Sequence, residues 1–308
     1  MAGGGEIKWR DPEIGQVRAL YAALQPPEGT PEPSWAERRV AMDGFGQLGT
    51  LPEGCMNIAV DIDGMPAEGL VPLDADESRN ILYLHGGGYC IGSPRSHRPT
   101  AARLAAEAGC PILVPDYRMG PEAPFPAAVE DGVKAWRHLV EAGIDPARMV
   151  IAGDSAGGGL TLATALAARD AGLPQPGGLF CISPWANLSQ TGPAYERLAK
   201  ADPMISAEGL DRFAEAYLAG ADAADPLASP ALGDFTGIAP ILIHVGGAEV
   251  LMSDSIAVAE AAGLAGVDVR LEIWPEMIHV WHAWSGQLTA GRRAIASAAA
   301  WIREKTGA

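Results

Sequence analysis

The chain has few basic residues and few aromatic residues. Of its 308 residues, 22 are Lys or Arg and 38 are Asp or Glu, which gives a formal net charge of −16. Such an acidic balance argues against nucleic acid or an anionic membrane as an electrostatic partner. An apolar fraction of 48% nevertheless supports a sizeable core, and the length suits one large α/β domain or two small ones.

Three further absences bear on where in the cell we expect the protein. Residues 1–10 contain no apolar stretch of signal-peptide length, and the longest nearly apolar run, residues 156–168, is too short to span a bilayer. The cysteines, at positions 55, 90, 110 and 181, are scattered without a C-x-x-C pair, which disfavours a disulfide framework and a zinc site. We therefore expect a cytoplasmic protein with reduced thiols, no integral membrane segment and no nucleic-acid partner.

Glycine, by contrast, is abundant, with 38 residues and no collagen-like period. Glycine serves turns, close backbone approaches and helix–strand packing. The same abundance makes chance matches to glycine-rich motifs frequent, so such a motif needs support from its context.

Apolar runs typical of strands alternate with helical patterns along the chain. The alternation predicts a mostly parallel sheet with helices on both faces, preceded by two antiparallel strands. The predicted strands are 57–61, 69–73, 81–84, 112–114, 149–152, 179–182, 241–245 and 269–273. The predicted helices include 127–142, 156–171 and 255–266, and residues 1–45 form an amphipathic helical region with a proline-rich break at 26–33.

The connection between the strands at 179–182 and 241–245 is unusually long. It contains helical patterns at 194–201 and 207–219. Long insertions in compact domains are usually functional, and open α/β sheets bind ligands at the carboxyl ends of their strands. We therefore predict one domain over residues 1–308, with the insertion lying over the site.

Ser155 lies in Gly153-Asp154-Ser155-Ala156-Gly157, which fits the pattern G-x-S-x-G. A predicted strand precedes this pentapeptide and a predicted helix follows it, which is the context of a nucleophilic serine on a sharp turn. The alternative is a structural glycine-rich turn or a phosphate cradle. A phosphate-binding loop typically contains a Gly-Lys pair, and the sequence has no such pair.

A second glycine motif, His85-Gly86-Gly87-Gly88, follows the strand at 81–84. Its glycines leave backbone N–H groups unobstructed, as a developing oxyanion requires. In lipases and esterases such a loop forms half of the oxyanion hole, and the N–H after the nucleophile, here that of Ala156, forms the other half. The alternative is a flexible hairpin.

A nucleophilic serine needs a general base, and only three histidines follow Ser155. His244 lies inside a predicted strand, which favours a structural role. His279 lies in the loop just beyond the last strand, where it could reach the serine, and His282 is the alternative. A metal site at His279 and His282 is disfavoured because no H-E-x-x-H motif accompanies them.

The acid that orients the base should follow the strand at 241–245. Glu249 lies in the loop at the carboxyl end of that strand. Asp254 is the alternative acid, although its place after Ser253 is typical of the first turn of a helix, where a carboxylate complements the helix dipole. We therefore prefer Glu249.

Residues 57–304 resemble the hormone-sensitive-lipase-like branch of the α/β-hydrolases, known as family IV of the bacterial esterases. The motifs that carry the resemblance are H-G-G-G at 85–88, D-Y-R at 116–118 with P-E at 121–122 and P-F-P-A at 124–127, G-D-S-A-G-G at 153–158, S-P-W at 183–185, D-P-L at 225–227 with S-P at 229–230, and the final His279. The family commonly has Asp-Pro-Leu-x-Asp where this chain has Glu249-Val250-Leu251-Met252-Ser253.

The resemblance implies an α/β-hydrolase fold of about eight strands, with a cap formed by residues 1–45 and 183–222. It implies Ser155 as nucleophile, His279 as base, Gly87, Gly88 and Ala156 as oxyanion donors, and His85 as support for the oxyanion loop. The substrate would be a small-molecule ester with a short acyl chain, with no cofactor and no metal. Dimers are common in this family, so the resemblance also allows a homodimer.

The implied reaction is two-step ester hydrolysis through an acyl-enzyme. A general base must be neutral, so we expect activity to fall below roughly pH 6–7. A lactone or amide hydrolase would use the same residues. A small-molecule receptor on this fold is disfavoured because Ser155 and His279 are both present.

Overall fold

A computed structural model describes residues 10–24, 29–47 and 49–308. Its strands are β1 (Met56–Ile62), β2 (Met65–Val71), β3 (Asn80–Leu84), β4 (Ile112–Pro115), β5 (Met149–Asp154), β6 (Gly178–Ile182), β7 (Ile241–Gly246) and β8 (Val269–Trp274). Its α-helices are α1 (Pro12–Leu24), α2 (Trp35–Gly46), α3 (Pro94–Ala108), α4 (Ala127–Glu141), α5 (Ala156–Asp170), α6 (Ala194–Arg197), α7 (Ala207–Leu218), α8 (Met252–Leu264) and α9 (Thr289–Thr306).

The strands form one sheet in the order β1-β2-β4-β3-β5-β6-β7-β8. Strand β2 pairs antiparallel with β1 and β4, and the other neighbouring pairs are parallel. The predicted mostly parallel sheet with an antiparallel start is therefore confirmed.

Helices cover both faces of the sheet because the central strands are apolar on both sides. Alternate residues of each strand point to opposite faces, so that Leu82 packs with α4, α5 and α8, whereas Ile81 and Tyr83 pack with α3 and α9. A third, smaller cluster joins Ile14 and Val17 of α1 to the segment that follows β8. The helix α1 therefore lies beside the loop that carries His279.

Several predicted boundaries differ from the structure. The strand expected at 69–73 is β2, which begins at Met65, and the helical pattern at 194–201 yields only the short α6. The pattern did not identify α3 and α9. The buried residues of α3 include only one large aliphatic side chain, that of Leu104, and those of α9 are mostly small, with Ile295, Trp301 and Ile302 as the large ones. Residues 1–9 of the predicted amino-terminal helical region and 26–28 of its proline-rich break lie outside the described residues.

The connection from β6 to β7 lies over the carboxyl ends of the strands. The Phe213 ring of α7 contacts Gly88, and the Phe125 amide donates to the Tyr217 carbonyl oxygen at 2.8 Å. Helix α2 is joined to the same edge, because the Arg39 guanidinium donates to the carbonyl oxygens of Cys90 and Gly120 at 2.9 and 2.8 Å.

Candidate active site

Ser155 occupies a sharp turn between β5 and α5. Its backbone has φ 55° and ψ −123°, a region that residues with a side chain rarely adopt. The turn is closely packed: a Cβ at Gly153 would meet the Gly157 carbonyl group, and a Cβ at Gly157 would meet the Leu84 carbonyl oxygen. The two glycines therefore permit the turn, and the serine side chain is left at the carboxyl edge of the sheet with 8% of its surface exposed.

The structure brings Glu249 and His279 together in a buried pair. Glu249 Oε2 lies 2.7 Å from His279 Nδ1. The other carboxylate oxygen accepts hydrogen bonds from Ser183 Oγ at 2.6 Å and from the Gly246 amide at 2.5 Å. Glu249 is fully buried and His279 is 3% exposed, so both oxygens of the carboxylate are held by fixed donors.

Electrostatics favour a protonated His279 despite its burial. Burial alone lowers the pKa of this imidazole. The hydrogen bond and charge of Glu249, followed by the charges of Asp202 and Asp154, outweigh burial, and the pKa is raised above its ordinary value.

Asp254, the alternative acid, points away from the histidine. Its Oδ2 accepts from the amides of Ala186 and Asn187, each at 2.9 Å, and its Oδ1 accepts from the Tyr195 hydroxyl at 2.8 Å. It lies in the first turn of α8, as the sequence indicates, but it is only 1% exposed, and it holds the insertion rather than simply complementing a helix dipole. Burial raises its pKa to about 7, against the opposing effect of these hydrogen bonds.

The H-G-G-G loop follows β3 and adopts conformations that require glycine. Gly87 and Gly88 have φ values of 119° and 60°. A Cβ at Gly87 would meet the Ile91 carbonyl group, and one at Gly88 would meet the Phe213 ring. Any larger residue at either position would therefore distort the loop or displace α7.

Asp154 links the H-G-G-G loop by hydrogen bonds to β5, the strand that precedes Ser155. Its Oδ1 accepts from the Gly86 amide at 3.1 Å and from the Tyr83 hydroxyl at 2.8 Å, and its Oδ2 lies 3.3 Å from His97 Nε2. Burial raises the pKa of Asp154, but the charge and hydrogen bond of His97 prevail and hold it at about 2. His97 has no sequence signal of its own, because it lies in α3, the helix that the apolar pattern did not identify.

His85 is fully buried beneath the loop. Its Nδ1 lies 2.9 Å from the Gly86 carbonyl oxygen, and its ring stacks on Tyr117 with centroids 4.2 Å apart. The Tyr117 hydroxyl donates to the His85 carbonyl oxygen at 2.6 Å. Burial, and then the charge of His97, lower the pKa of His85 to about 3, so that this imidazole is neutral near pH 7.

The two other histidines after Ser155 form a separate buried pair. His244 Nδ1 lies 3.0 Å from His282 Nε2, and both side chains are fully buried. Burial lowers the pKa of His244 to about 4 and that of His282 well below its ordinary value. Among the described residues, no group of three or more His, Cys, Asp or Glu side chains is arranged to hold a metal ion.

A cavity of about 710 Å³ lies between the residues around α2 and those around α7. Its walls include Trp35, Ile205, Leu210 and Phe213, with ring centroids of Trp35 and Phe213 5.0 Å apart. Phe213 also contacts Gly88, so its ring lies between the cavity and the H-G-G-G loop. In the part of the chain that the structure describes, no helix is both long and apolar enough to cross a membrane.

Comparisons with known proteins identify the family of the chain. Residues 81–283 match a family described as having the alpha/beta hydrolase fold. An acetyl-hydrolase from Streptomyces hygroscopicus is 46% identical over 297 residues, which cover 96% of this chain and 98% of the relative. The putative acetyl-hydrolase LipR from Mycobacterium tuberculosis is 36% identical, with 93% of each chain covered.

Solved structures are similar over nearly the whole chain. A crystal structure of an esterase from the bacterial hormone-sensitive lipase family has a TM-score of 0.93 and 38% identity, covering 97% of this chain and 100% of the other. A structure of EstE5 soaked with p-nitrophenyl butyrate has a TM-score of 0.92 and 41% identity, with the same coverage. The chain therefore belongs to the α/β-hydrolase family, in its hormone-sensitive-lipase-like branch of esterases.

Proposed function

We propose that this chain hydrolyses carboxylic esters with short acyl groups, using Ser155, His279 and Glu249 as a catalytic triad. The proposal rests on the buried hydrogen bond of 2.7 Å between Glu249 and His279, together with the strained turn that holds Ser155 at the carboxyl end of β5. With Nδ1 bound to Glu249, the imidazole has Nε2 available for the serine hydroxyl. The loop of Gly87 and Gly88 and the amide of Ala156 supply donors for the oxyanion.

In the proposed reaction, His279 Nε2 takes the Ser155 proton as Oγ attacks the ester carbonyl carbon. The tetrahedral oxyanion is stabilised by the N–H groups of Gly87, Gly88 and Ala156. As the intermediate collapses, the imidazolium gives the proton to the departing alcohol, which leaves an acyl group on Ser155. A water molecule, deprotonated by His279, then attacks the acyl carbonyl carbon. As the bond to Ser155 Oγ breaks and the acid is released, the imidazolium returns its proton to Oγ.

The preference for short acyl groups rests on two observations. Phe213 packs directly against Gly88, which limits the space next to the oxyanion loop. The relatives named acetyl-hydrolase and the structure soaked with p-nitrophenyl butyrate concern short acyl groups. We further propose that residues 1–45 and 183–222 form a cap on a single domain, with the cavity between α2 and α7 admitting the substrate.

A panel of nitrophenyl esters from acetate to palmitate tests this function. We expect the highest kcat/KM on acetate and butyrate, and loss of about 10⁴-fold or more in Ser155→Ala. A nitroacetanilide and a γ-lactone, run beside the panel, separate ester from amide and lactone hydrolysis. Full activity in Ser155→Ala would contradict the mechanism, and a maximum at long acyl chains would contradict the substrate class.

A further inference from the structure

Asp202 is a buried carboxylate of the insertion, between α6 and α7, that reaches the loop of Glu249. Its Oδ1 accepts from the amides of Met204 and Ile205, each at 2.9 Å. Its Oδ2 accepts from the Val250 amide at 3.1 Å. Val250 directly follows Glu249, so this hydrogen bond joins the insertion to the segment that carries the acid.

Two other aspartates of the insertion accept hydrogen bonds from backbone amides of their own turns. Asp222 Oδ1 accepts from the Ala224 amide at 2.9 Å, and Asp225 Oδ1 accepts from the Leu227 amide at 2.8 Å. Asp222 is exposed, whereas Asp202 is only 8% exposed. A turn alone does not require a buried carboxylate, which is costly unless it is hydrogen-bonded and faces positive charge.

The charged and titratable groups around Asp202 come from three parts of the chain. His279 and Glu249 belong to the site, and Arg18 and Tyr21 belong to α1. Burial raises the pKa of Asp202, and the charge of His279 is the foremost opposing effect. The effect is reciprocal, because the charge of Asp202 helps to raise the pKa of His279.

Helix α1 supports the same segment. An Arg18 guanidinium nitrogen donates to the carbonyl oxygen of Ala201 at 2.6 Å. The residue before Asp202 is thus held by α1, and Asp202 itself holds the residue after Glu249. Ala201 and Asp202 thus connect α1 to the residue that follows Glu249.

We propose that Asp202 is a positioning residue of the esterase reaction: it fixes the Glu249 loop through the Val250 amide and adds a second negative charge that favours the imidazolium form of His279. This role rests on the proposed triad. Asp202 thereby makes the insertion part of the surroundings of the acid and the base.

Replacement of the carboxylate by neutral side chains tests this role. Asp202→Asn and Asp202→Ser keep an acceptor for the turn amides but remove the charge. We expect kcat to fall about tenfold with KM little changed, and the acid limb of the kcat/KM profile to move down by about half to one pH unit. Asp202→Glu, which keeps the charge, should retain the wild-type midpoint.

Asp222→Asn is the matched control, since it makes the same chemical change at an exposed turn of the same insertion. It should keep both kcat and the midpoint. Circular dichroism and thermal unfolding identify which neutral variant is folded, and the profile is measured on that variant. A wild-type midpoint in a folded neutral variant would overturn the role of Asp202, whereas activity in Ser155→Ala would overturn the proposed function itself.

Discussion

Glu249 and Asp254 lie five residues apart in sequence, but their carboxylates contact different groups. Both are almost fully buried. Glu249 faces a titratable imidazole, whereas Asp254 faces two backbone amides and a tyrosine hydroxyl of the insertion. The role of a carboxylate therefore cannot be assigned from its burial or its position in the sequence. The groups that it contacts determine its role.

The difference follows from local backbone structure. Glu249 lies in the loop beyond β7, next to the loop beyond β8 that carries His279. Asp254 has already entered α8, whose first turn is directed towards residues 186–195. One carboxylate can therefore assist proton transfer, while the other fastens the insertion to the sheet.

The largest expected effect comes from Glu249→Gln. An amide cannot stabilise the imidazolium or fix its tautomer as a carboxylate does, so we expect kcat/KM on nitrophenyl acetate to fall about 10⁴-fold. The matched control is Asp254→Asn, the same acid-to-amide change on the other side of the comparison. Loss of activity in Asp254→Asn with none in Glu249→Gln would reverse the two assignments.

A smaller effect is expected from Ser183→Ala. The Ser183 hydroxyl donates to Glu249 Oε1 at 2.6 Å, and after its removal the Gly246 amide still donates to that oxygen. Hydrogen bonds to charged groups contribute about 1.5–3 kcal/mol, so kcat/KM should fall about 10- to 150-fold. The exposed Ser189→Ala in the same insertion should match wild type, and an unchanged rate in Ser183→Ala would show that this hydrogen bond does not position the acid.

The smallest effect on activity is expected from Asp254→Asn, whose main consequence is a loss of stability. Removal of one acceptor leaves a buried donor unpaired, at a cost of about 1–3 kcal/mol in the free energy of unfolding. The pKa of Asp254 is raised from 3.8 to about 7, so its protonated form contributes stability at acidic pH that is lost as the pH rises towards 7. Urea unfolding should therefore show that the difference in the free energy of unfolding between wild type and Asp254→Asn decreases as the pH rises. An increase of this difference with pH would contradict the raised pKa of Asp254.

The sequence predicted the sheet well because each central strand is a continuous apolar run bounded by turn signals. It did not predict α3 or α9, whose buried faces contain many small or polar residues and few large apolar ones, and it therefore gave no sign of His97. The preference for Glu249 could be argued from its position after a strand. Asp202 could not be found in this way, because its contact with the Val250 amide joins residues 48 positions apart and has no periodic or motif signal.

The sequence after β7 also explains why the family motif alone does not identify the triad acid. The Asp-Pro-Leu-x-Asp pattern is replaced here by Glu249-Val250-Leu251-Met252-Ser253. A glutamate side chain is one methylene longer, and this length is accommodated by the donors that hold Oε1 while Oε2 reaches His279. The three-dimensional contacts support the preference for Glu249 that its position after β7 already indicates.

The central claim is that the reaction passes through an acyl group on Ser155. Rapid acid quenching during turnover of p-nitrophenyl acetate, followed by peptide mass spectrometry, measures this directly. We expect one acetyl group on the peptide that contains Ser155, and none in Ser155→Ala. Full turnover without acetylated Ser155, or acetylation at another residue that persists in Ser155→Ala, would contradict it.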